Sequence, residues 1–229
     1  AMETSIIDMS LAPMNAATGL REQGILVTGS GTTLRDFTLQ SPNRAANNST
    51  GAAHGIKTNP NGDNTVDVNG LVVTNVKVRQ VKRSALDLNG ASNVTLNNFV
   101  AETVSDGYGL AISGVTNGVR INSISTTGTV WGDVGIFPYP TSSTTASPDN
   151  IVFADAGPHA INAITVQPYG STITMSVSGS ANQFYNADAN VIVPPEFNRN
   201  VRTTRVSDSL LFNLLTRQAT VPTLTAAFV

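Results

Sequence analysis

A pair of residues, one small and one branched and apolar, recurs along the sequence at intervals of 24 to 31 residues. The six pairs are Gly24-Ile25, Gly55-Ile56, Ala85-Leu86, Gly109-Leu110, Gly135-Ile136 and Ala163-Ile164. Repeats of this length are typical of solenoids, in which each repeat buries its apolar face against its neighbours. The repeat therefore restricts the chain to a stacked architecture.

Each pair opens a stretch in which apolar and polar residues alternate, as in a half-buried β-strand. A second apolar stretch follows, in which one step of three residues interrupts the steps of two, for example in Leu71, Val73, Val76 and Val78. The longer step predicts a bend between two short strands. The residues at the successive bends are Asp36, Asn75, Asn98 and Ser123. Asp and Asn tolerate left-handed backbone conformations, so these bends are predicted to stack as corners with an internal ladder of side chains.

This coil pattern, with its corner asparagines, resembles the right-handed parallel β-helix of the pectate-lyase-like superfamily, which has the pectin lyase fold. The resemblance covers about residues 20–180 and implies an all-β fold of about six coils. It also implies a protein that is secreted or displayed on the cell surface and engages a polysaccharide or cell-surface glycan. The resemblance lies in the coils and corners and not in a catalytic motif.

The domain organisation is predicted to be one domain over residues 1–229, cut from a longer protein. The period fades after residue 180, and residues 181–229 are expected to cap the open end of the solenoid with a short helix. The apolar face of that helix would be Leu210, Leu211, Leu214 and Leu215. Three polar segments, residues 41–53, 59–65 and 138–149, are predicted to be loops that project from the coils.

The composition excludes several classes of function. Charged residues make up 12% of the chain and the net charge is −2, so nothing favours binding to nucleic acid. The chain has no cysteine, which rules out disulfides and thiolate metal sites. No apolar run reaches the roughly 20 residues of a membrane span. We expect no cofactor and no metal, and the sequence leaves open whether the protein is a monomer or a trimer of the tailspike kind.

Polar and aromatic side chains are predicted to face outward in register from neighbouring coils. Their amide, hydroxyl and phenol groups are suited to hydrogen bonds with sugar hydroxyls, and their aromatic rings to packing against sugar C–H groups. The candidate carbohydrate-binding residues are Asn89, Tyr108, Ser113, Phe137, Tyr139 and Gln167. The alternative interpretation is an ordinary solvated face of a sheet.

Charged side chains near the same strands are the catalytic candidates. A polysaccharide lyase needs a cation to neutralise a uronate and a base to remove a proton, whereas a glycosidase needs two carboxylates ~5 to 10 Å apart. Asp106 with Asp133 is the best carboxylate pair, and Lys57 and Asp87 are predicted to be neighbours across two strands. The candidate catalytic residues are His54, Lys57, Arg83, Asp87, Asp106 and Asp133, with Tyr108 as a further acid.

The segment 76–83 is the one basic cluster of the sequence, and it suggests either a strip that binds acidic polysaccharide or a solvated face. Two hypotheses for function follow. The first is a non-catalytic module, such as an adhesin shaft or a tailspike segment, that binds glycan or is purely structural. The second is a lyase or glycoside hydrolase that acts on acidic glycans. The short chain, the low charge and the missing catalytic motifs favour the first hypothesis slightly.

Overall fold

A computed structural model describes a chain built from short β-strands. The described residues are 5–9, 21–41, 52–58, 68–137, 139–140, 145–146, 148–153, 159–160, 164–166, 173–177, 183–186, 200–203 and 223–226. None of them lies in a helix. The predicted capping helix at 210–215, the loop 59–65 and Gln167 lie outside the described residues.

The strands, in chain order, are Ile6–Asp8 (β1), Arg21–Leu26 (β2), Thr33–Gln40 (β3), Ala52–Lys57 (β4), Val68–Asn69 (β5), Val72–Val81 (β6), Ser84–Asn89 (β7), Ala91–Val104 (β8), Tyr108–Ser113 (β9), Asn117–Ile121 (β10), Ile124–Thr129 (β11), Gly132–Phe137 (β12), Tyr139–Pro140 (β13), Thr145–Ala146 (β14), Asp149–Phe153 (β15), His159–Ala160 (β16), Ile164–Val166 (β17), Ile173–Val177 (β18), Gln183–Asn186 (β19), Asn200–Thr203 (β20) and Thr223–Ala226 (β21).

Most of these strands belong to two parallel sheets, and the chain passes back and forth between them. The first sheet has the order β1-β3-β6-β8-β10-β15-β18-β21, and the second has the order β2-β4-β7-β9-β12-β17-β19-β20. Each pass therefore adds one strand to each sheet beside the strand laid down one repeat earlier. The sheets are parallel throughout except at β21, which pairs antiparallel with β18. The fold is thus all-β with parallel sheets, as the repeat predicts.

Equivalent apolar residues stack on one another in the first sheet, strand upon strand. Phe37 pairs in register with Val76, Val76 with Phe99, and Phe99 with Ile124. These side chains and those of the second sheet, such as Leu86, form one hydrophobic cluster. Burial of this continuous apolar column is the main stabilising term of the fold, since no repeat can bury its apolar face alone.

The predicted corners are confirmed at three of the four bends. Asp36, Asn75 and Asn98 have left-handed backbones, with φ values of 61°, 51° and 58°. The Asn75 Nδ2 donates to Asp36 Oδ1 at 3.0 Å, and the Asn98 Nδ2 donates to Asn75 Oδ1 at 3.0 Å. The hydrogen bond from Asn75, followed by that from Arg35, lowers the pKa of the Asp36 carboxyl. The corner side chains thus form the expected ladder.

The fourth bend differs, because Ser123 does not take a left-handed backbone. Serine lacks the amide that both donates and accepts along a ladder, and it is less suited than Asn to the left-handed region. The first sheet is interrupted there between β10 and β11, and a second ladder of polar side chains runs one residue before the corners. Asn122 Nδ2 donates to Asn97 Oδ1 at 2.6 Å, and Asn97 Nδ2 donates to Thr74 Oγ1 at 3.2 Å.

The corner ladder gives a first prediction, for which Asn75 is the test. Asn75→Gly removes two ladder hydrogen bonds and is expected to lower the free energy of unfolding by about 1–2 kcal/mol. Asn75→Ala removes the same bonds and also places a Cβ-bearing residue without local hydrogen bonding at positive φ, which costs about 1–2 kcal/mol more. Urea unfolding of the two variants measures the difference. A glycine variant less stable than the alanine variant would contradict the role of backbone strain at this corner.

Three predicted boundaries differ in the structure. The polar segment 138–149 contains a short antiparallel pair, β13 with β14, in which Tyr139 lies opposite Ala146. The segment 41–53 ends in β4, which begins at Ala52. The second sheet also continues beyond residue 180, because β19 and β20 pair in parallel. The polar residues of these segments are typical of turns, so the sequence predicts loops where the structure has short strands.

Candidate functional site

The small-apolar pair that repeats in the sequence marks a kink in β2, β4, β7 and β9 of the second sheet. In β7, Ala85 and Leu86 follow one another, yet both belong to the hydrophobic cluster. At the equivalent position of β4, a Cβ on Gly55 would overlap Cγ1 of Val78 and lie 2.6 Å from the carbonyl oxygen of Ala85. The first residue of the pair must therefore be small, because two consecutive residues both face the core.

This kink brings polar residues on both sides of the pair to the other face of the sheet, which we call the outer face. Its rows follow from the register of the strands. One row consists of His54, Ser84, Tyr108 and Gly132, a second of Lys57, Asp87, Ala111 and Gly135, and a third of Asn89, Ser113 and Phe137. The predicted neighbours Lys57 and Asp87 are confirmed as direct cross-strand partners.

The predicted register is wrong at β12. Gly135 pairs with Ala111, and Val134 rather than Ile136 pairs with Leu110. In this repeat Asp133 and Val134 occupy the positions of the small and the apolar residue. Gly135, which the sequence pattern takes as the small residue, lies two residues further on. Phe137 therefore follows Ser113 in the third row, and Tyr139 lies in β13 instead. The structure describes only the backbone of Phe137 and Tyr139.

His54 and Asp87 form the electrostatic centre of the outer face. The His54 Nδ1 lies 3.4 Å from the Asp87 Oδ2, and both side chains are nearly buried, 13% and 11% exposed. The Nδ1 atom makes no hydrogen bond at this distance. The two residues are brought together because β4 and β7 are adjacent and both strands carry the kink.

Burial and two cations set the charge states of this pair. Burial, followed by the positive charges of Lys57 and Arg83, lowers the pKa of His54 from 6.5 to about 3. Burial raises the pKa of Asp87 from 3.8 to about 6, and the same two cations oppose that shift. At neutral pH the imidazole is thus uncharged, while the Asp87 carboxylate is ionised beside Lys57 and Arg83.

An aromatic pair lies beside this cluster. The rings of Tyr108 and Trp131 meet edge to face, with centroids 5.8 Å apart and an interplanar angle of 81°. A Cβ on Gly135 would lie 2.8 Å from the Tyr108 ring, so the tyrosine lies across the outer face over this glycine. Burial raises the pKa of the Tyr108 phenol. Trp131 is 56% exposed, and its neighbour Val130 is exposed as well.

Arg83 and Trp131 flank Gly107 at one end of the outer face. They occupy the same register position two strands apart, immediately before β7 and β12, with Gly107 between them. The backbone N–H of Trp131 donates to the carbonyl of Gly107 at 3.0 Å, and the backbone N–H of Tyr108 donates to the carbonyl of Arg83 at 2.9 Å. At the usual strand spacing the two backbones are ~10 Å apart. Both flanking residues are exposed, and the glycine contributes no side chain to the space between them.

Sequence analysis missed Trp131. Its signal was available, since it is the only tryptophan of the chain and directly precedes a predicted strand. The candidates ahead of the strands were charged or acidic groups, so a tryptophan at this position was not among them. Arg83, which the same analysis did select, occupies the equivalent position.

The proposed carboxylate pair, Asp106 and Asp133, is divided between a turn and the small-residue position of β12. Asp133 is 3% exposed and occupies the small-residue position of its strand, where its Oδ1 accepts a hydrogen bond from Thr129 Oγ1 at 2.7 Å. Asp106 lies in the turn before β9, where its N–H donates to the carbonyl of Lys82. The two carboxyls therefore belong to different register positions and different surroundings.

The third row of the outer face is not a solvated surface. Asn89 and Ser113 are 4% and 2% exposed, and the Asn89 Oδ1 is buried without a hydrogen bond. The Asn89 N–H donates to Thr58 Oγ1 at 2.9 Å, which fixes this end of β7. Accessible groups are found instead at the other end of the strands, at Arg83 and Trp131. The part of Asn89 and Ser113 in carbohydrate binding remains a prediction.

The basic segment 76–83 does not form a free cationic strip. Lys77 Nζ lies 3.0 Å from Glu102 Oε1, and the lysine side chain is 15% exposed. Arg79 donates from Nε to Gln40 Oε1 at 2.8 Å. These two cations are thus engaged on the first sheet, whereas Arg83, at the end of the segment and immediately before β7, is exposed.

Within the described residues there is no helix of the length and apolarity that crossing a membrane requires. The same part of the chain brings no three His, Asp or Glu side chains together in a group that could hold a metal ion. Comparison with known proteins gives no relative: no family model, no curated protein and no solved structure matches the chain.

Proposed function

We propose that the chain is a right-handed parallel β-helix of about six coils, similar to the pectate-lyase-like superfamily. Two observations support this: the chain alternates between two parallel sheets, and its corners stack in register. Connections between parallel strands are right-handed in about 98% of cases, which favours that hand. The proposal includes a secreted or cell-surface location, in which a solenoid presents one long face to a polymer.

We further propose that the outer face binds an acidic polysaccharide and does not cleave it. The observation that carries this is the exposed Trp131, which packs on Tyr108 and lies two strands away from the exposed Arg83. An aromatic ring offers a surface for sugar C–H groups, and a guanidinium binds a carboxylate with two parallel hydrogen bonds. Lys57 and Arg83 both act electrostatically on His54 and Asp87, so the outer face carries two positive charges near its centre.

Affinity electrophoresis through gels that contain polygalacturonate, alginate or a neutral glucan tests this binding. The native protein is expected to be retarded by an acidic polysaccharide and not by the neutral one. Trp131→Ala is expected to raise the dissociation constant obtained from the retardation by about 30-fold, since loss of a central aromatic contact costs about 2 kcal/mol. Ile7→Ala, an exposed residue on the first sheet, is the control and is expected to leave retardation unchanged. Equal retardation of native protein and Trp131→Ala would overturn the assignment of the site.

A polysaccharide lyase is the second candidate, and the cluster of His54, Asp87, Lys57 and Arg83 favours it. The two cations could neutralise a uronate, and an uncharged imidazole is a base. Ultraviolet absorbance of unsaturated uronides released from pectate and alginate distinguishes the candidates. If the protein only binds, the gels show retardation and the absorbance does not change. If the native protein releases unsaturated product and His54→Gln releases none, the protein is a lyase instead.

A further inference from the structure

Ser84, His54 and Asp87 meet on two adjacent strands of the outer face. Ser84 is the direct cross-strand partner of His54, so their backbones lie ~4.8 Å apart. Asp87 is three residues after Ser84 on the same strand, and its Oδ2 lies 3.4 Å from the His54 Nδ1. A hydroxyl, an imidazole and a carboxylate are thus placed side by side by the kink that also defines the fold.

The three side chains are of the types that nucleophilic catalysis by a serine hydroxyl requires. The carboxylate lies at Nδ1 of the imidazole, which leaves Nε2 for the hydroxyl of the neighbouring strand. The Nδ1 atom is buried and has no hydrogen bond, which is destabilising for a polar atom. A small rotation of either side chain would align it with Asp87. Hydrogen bonds of this kind are often loose before substrate binds.

We propose that Ser84, His54 and Asp87 form a Ser-His-Asp triad that hydrolyses carboxylic esters with a small acyl group. Ser84 Oγ attacks the ester carbonyl carbon while His54 Nε2 takes up its proton. The bond from that carbon to the alcohol oxygen breaks, and the alcohol leaves with the proton from His54. A water molecule, deprotonated by His54, then releases the carboxylic acid and restores the Ser84 hydroxyl. The Asp87 carboxylate orients the imidazole and stabilises its charged form.

The surroundings support this assignment in three respects. His54 is uncharged at neutral pH, as a general base must be, and Asp87 is ionised, as its partner must be. Arg83, next to Ser84 in the chain, supplies positive charge for the oxyanion of the tetrahedral intermediate. Tyr108 is the cross-strand partner of Ser84 on its other side, and Ser84 is 4% exposed. The limited space beside the hydroxyl favours an acyl group as small as acetyl.

The alcohol portion of the substrate follows from the binding proposed above, and only this part of the inference rests on it. If Trp131 and Arg83 hold an acidic polysaccharide, the ester would be an O-acetyl group on one of its sugar hydroxyls. Removal of the group leaves the polymer intact, so ester hydrolysis agrees with binding without cleavage.

Hydrolysis of p-nitrophenyl acetate by the full chain tests the triad without any polysaccharide. The native protein is expected to release nitrophenolate above the buffer rate. Ser84→Ala is expected to lower kcat/KM by at least about 100-fold, as removal of a triad nucleophile does. The control is Ser125→Ala, a partly exposed serine of β11 in the first sheet, which is expected to leave the rate unchanged.

Covalent labelling with a fluorophosphonate gives a readout that a structural role of Ser84 would not affect. Mass spectrometry is expected to locate the phosphonyl adduct on Ser84 in the native protein, and His54→Gln is expected to slow its formation. Native protein that acquires no adduct on Ser84, or Ser84→Ala that retains the native rate, would overturn the triad. Because neither assay uses polysaccharide or Trp131, failure here would leave the binding proposal standing, and the gel experiment decides that one separately.

Discussion

Alanine in place of Gly107 is expected to destabilise the protein by about 3 kcal/mol or more, a large effect for the addition of one methyl group. A Cβ at this position would overlap the carbonyl oxygen of Arg83 and lie 2.9 Å from its Cα. The obstacle is backbone of the adjacent strand, which cannot rotate away as a side chain can. The two strands would have to separate and lose the hydrogen bond from the Tyr108 N–H to the Arg83 carbonyl, 2.9 Å in the native protein.

Urea unfolding followed by circular dichroism measures this effect, with Gly29→Ala as the matched control. The atom nearest to a Cβ on Gly29 is Thr32 Oγ1 at 3.7 Å, an ordinary contact. This control is expected to change the free energy of unfolding by less than about 0.5 kcal/mol. Similar stabilities of the two variants would show that β7 and β9 do not approach as closely as described.

Asparagine in place of Asp87 is expected to stabilise the protein at neutral pH by up to about 3 kcal/mol. The pKa of Asp87 is raised from 3.8 to about 6, so the native state binds the proton more tightly than the unfolded state. The stabilising effect of this difference is complete below pH 3.8 and is lost as the pH rises through 6. At pH 7 the native state therefore carries a buried charge, and each pKa unit corresponds to 1.36 kcal/mol. An uncharged amide of the same shape removes this cost.

Unfolding midpoints measured from pH 4 to pH 8 test the prediction. The advantage of Asp87→Asn is expected to be largest at pH 7 to 8 and to disappear near pH 4. The pKa of His54, lowered to about 3, favours the native state above pH 6.5 and is expected to affect both proteins alike. Asp106→Asn, a partly exposed turn residue, serves as the control. An Asp87→Asn protein less stable than the native one at pH 7 would show that the contacts of this carboxylate outweigh its burial.

A carboxylate kept in place at a cost to stability points to a functional requirement, because structural ion pairs are seldom needed in a core. Asp87 meets this description, since aliphatic or amide residues would fill its position in the sheet more favourably. Its neighbours His54, Lys57 and Arg83 are the groups with which it would act. The loss of activity expected for Ser84→Ala and the gain of stability expected for Asp87→Asn are therefore two independent tests of the same proposed site.

The sequence predicts the repeated and stacked features of this chain well. Asp36, Asn75 and Asn98 were identified as corners from one irregular step in the apolar pattern, because that step has a single physical cause. The neighbours Lys57 and Asp87 followed from the spacing of the small-apolar pairs. Both predictions depend only on local periodicity, which the parallel sheets convert directly into contacts between neighbouring strands.

Features that depend on how residues of different strands pack together cannot be predicted from this periodicity. Asp133 takes the place of a small residue, and a pattern defined by small residues could not detect that substitution. The burial of Asn89 and Ser113 depends on what covers the outer face, about which alternation within one strand carries no information. The approach of His54 to Asp87 required the kink, because strict alternation would place His54 on the same side as Ile56.

The intrinsic fluorescence of Trp131 tests the central claim, that the outer face binds an acidic polysaccharide, most directly. As the only tryptophan of the chain, exposed at the edge of the proposed site, it reports on that site alone. Titration with polygalacturonate or alginate is expected to produce a saturable shift of its emission that weakens with added salt and is reduced in Arg83→Ala. Emission that stays constant with every acidic polysaccharide, while the same polymer retards the protein in gels, would place the binding surface elsewhere and contradict the claim.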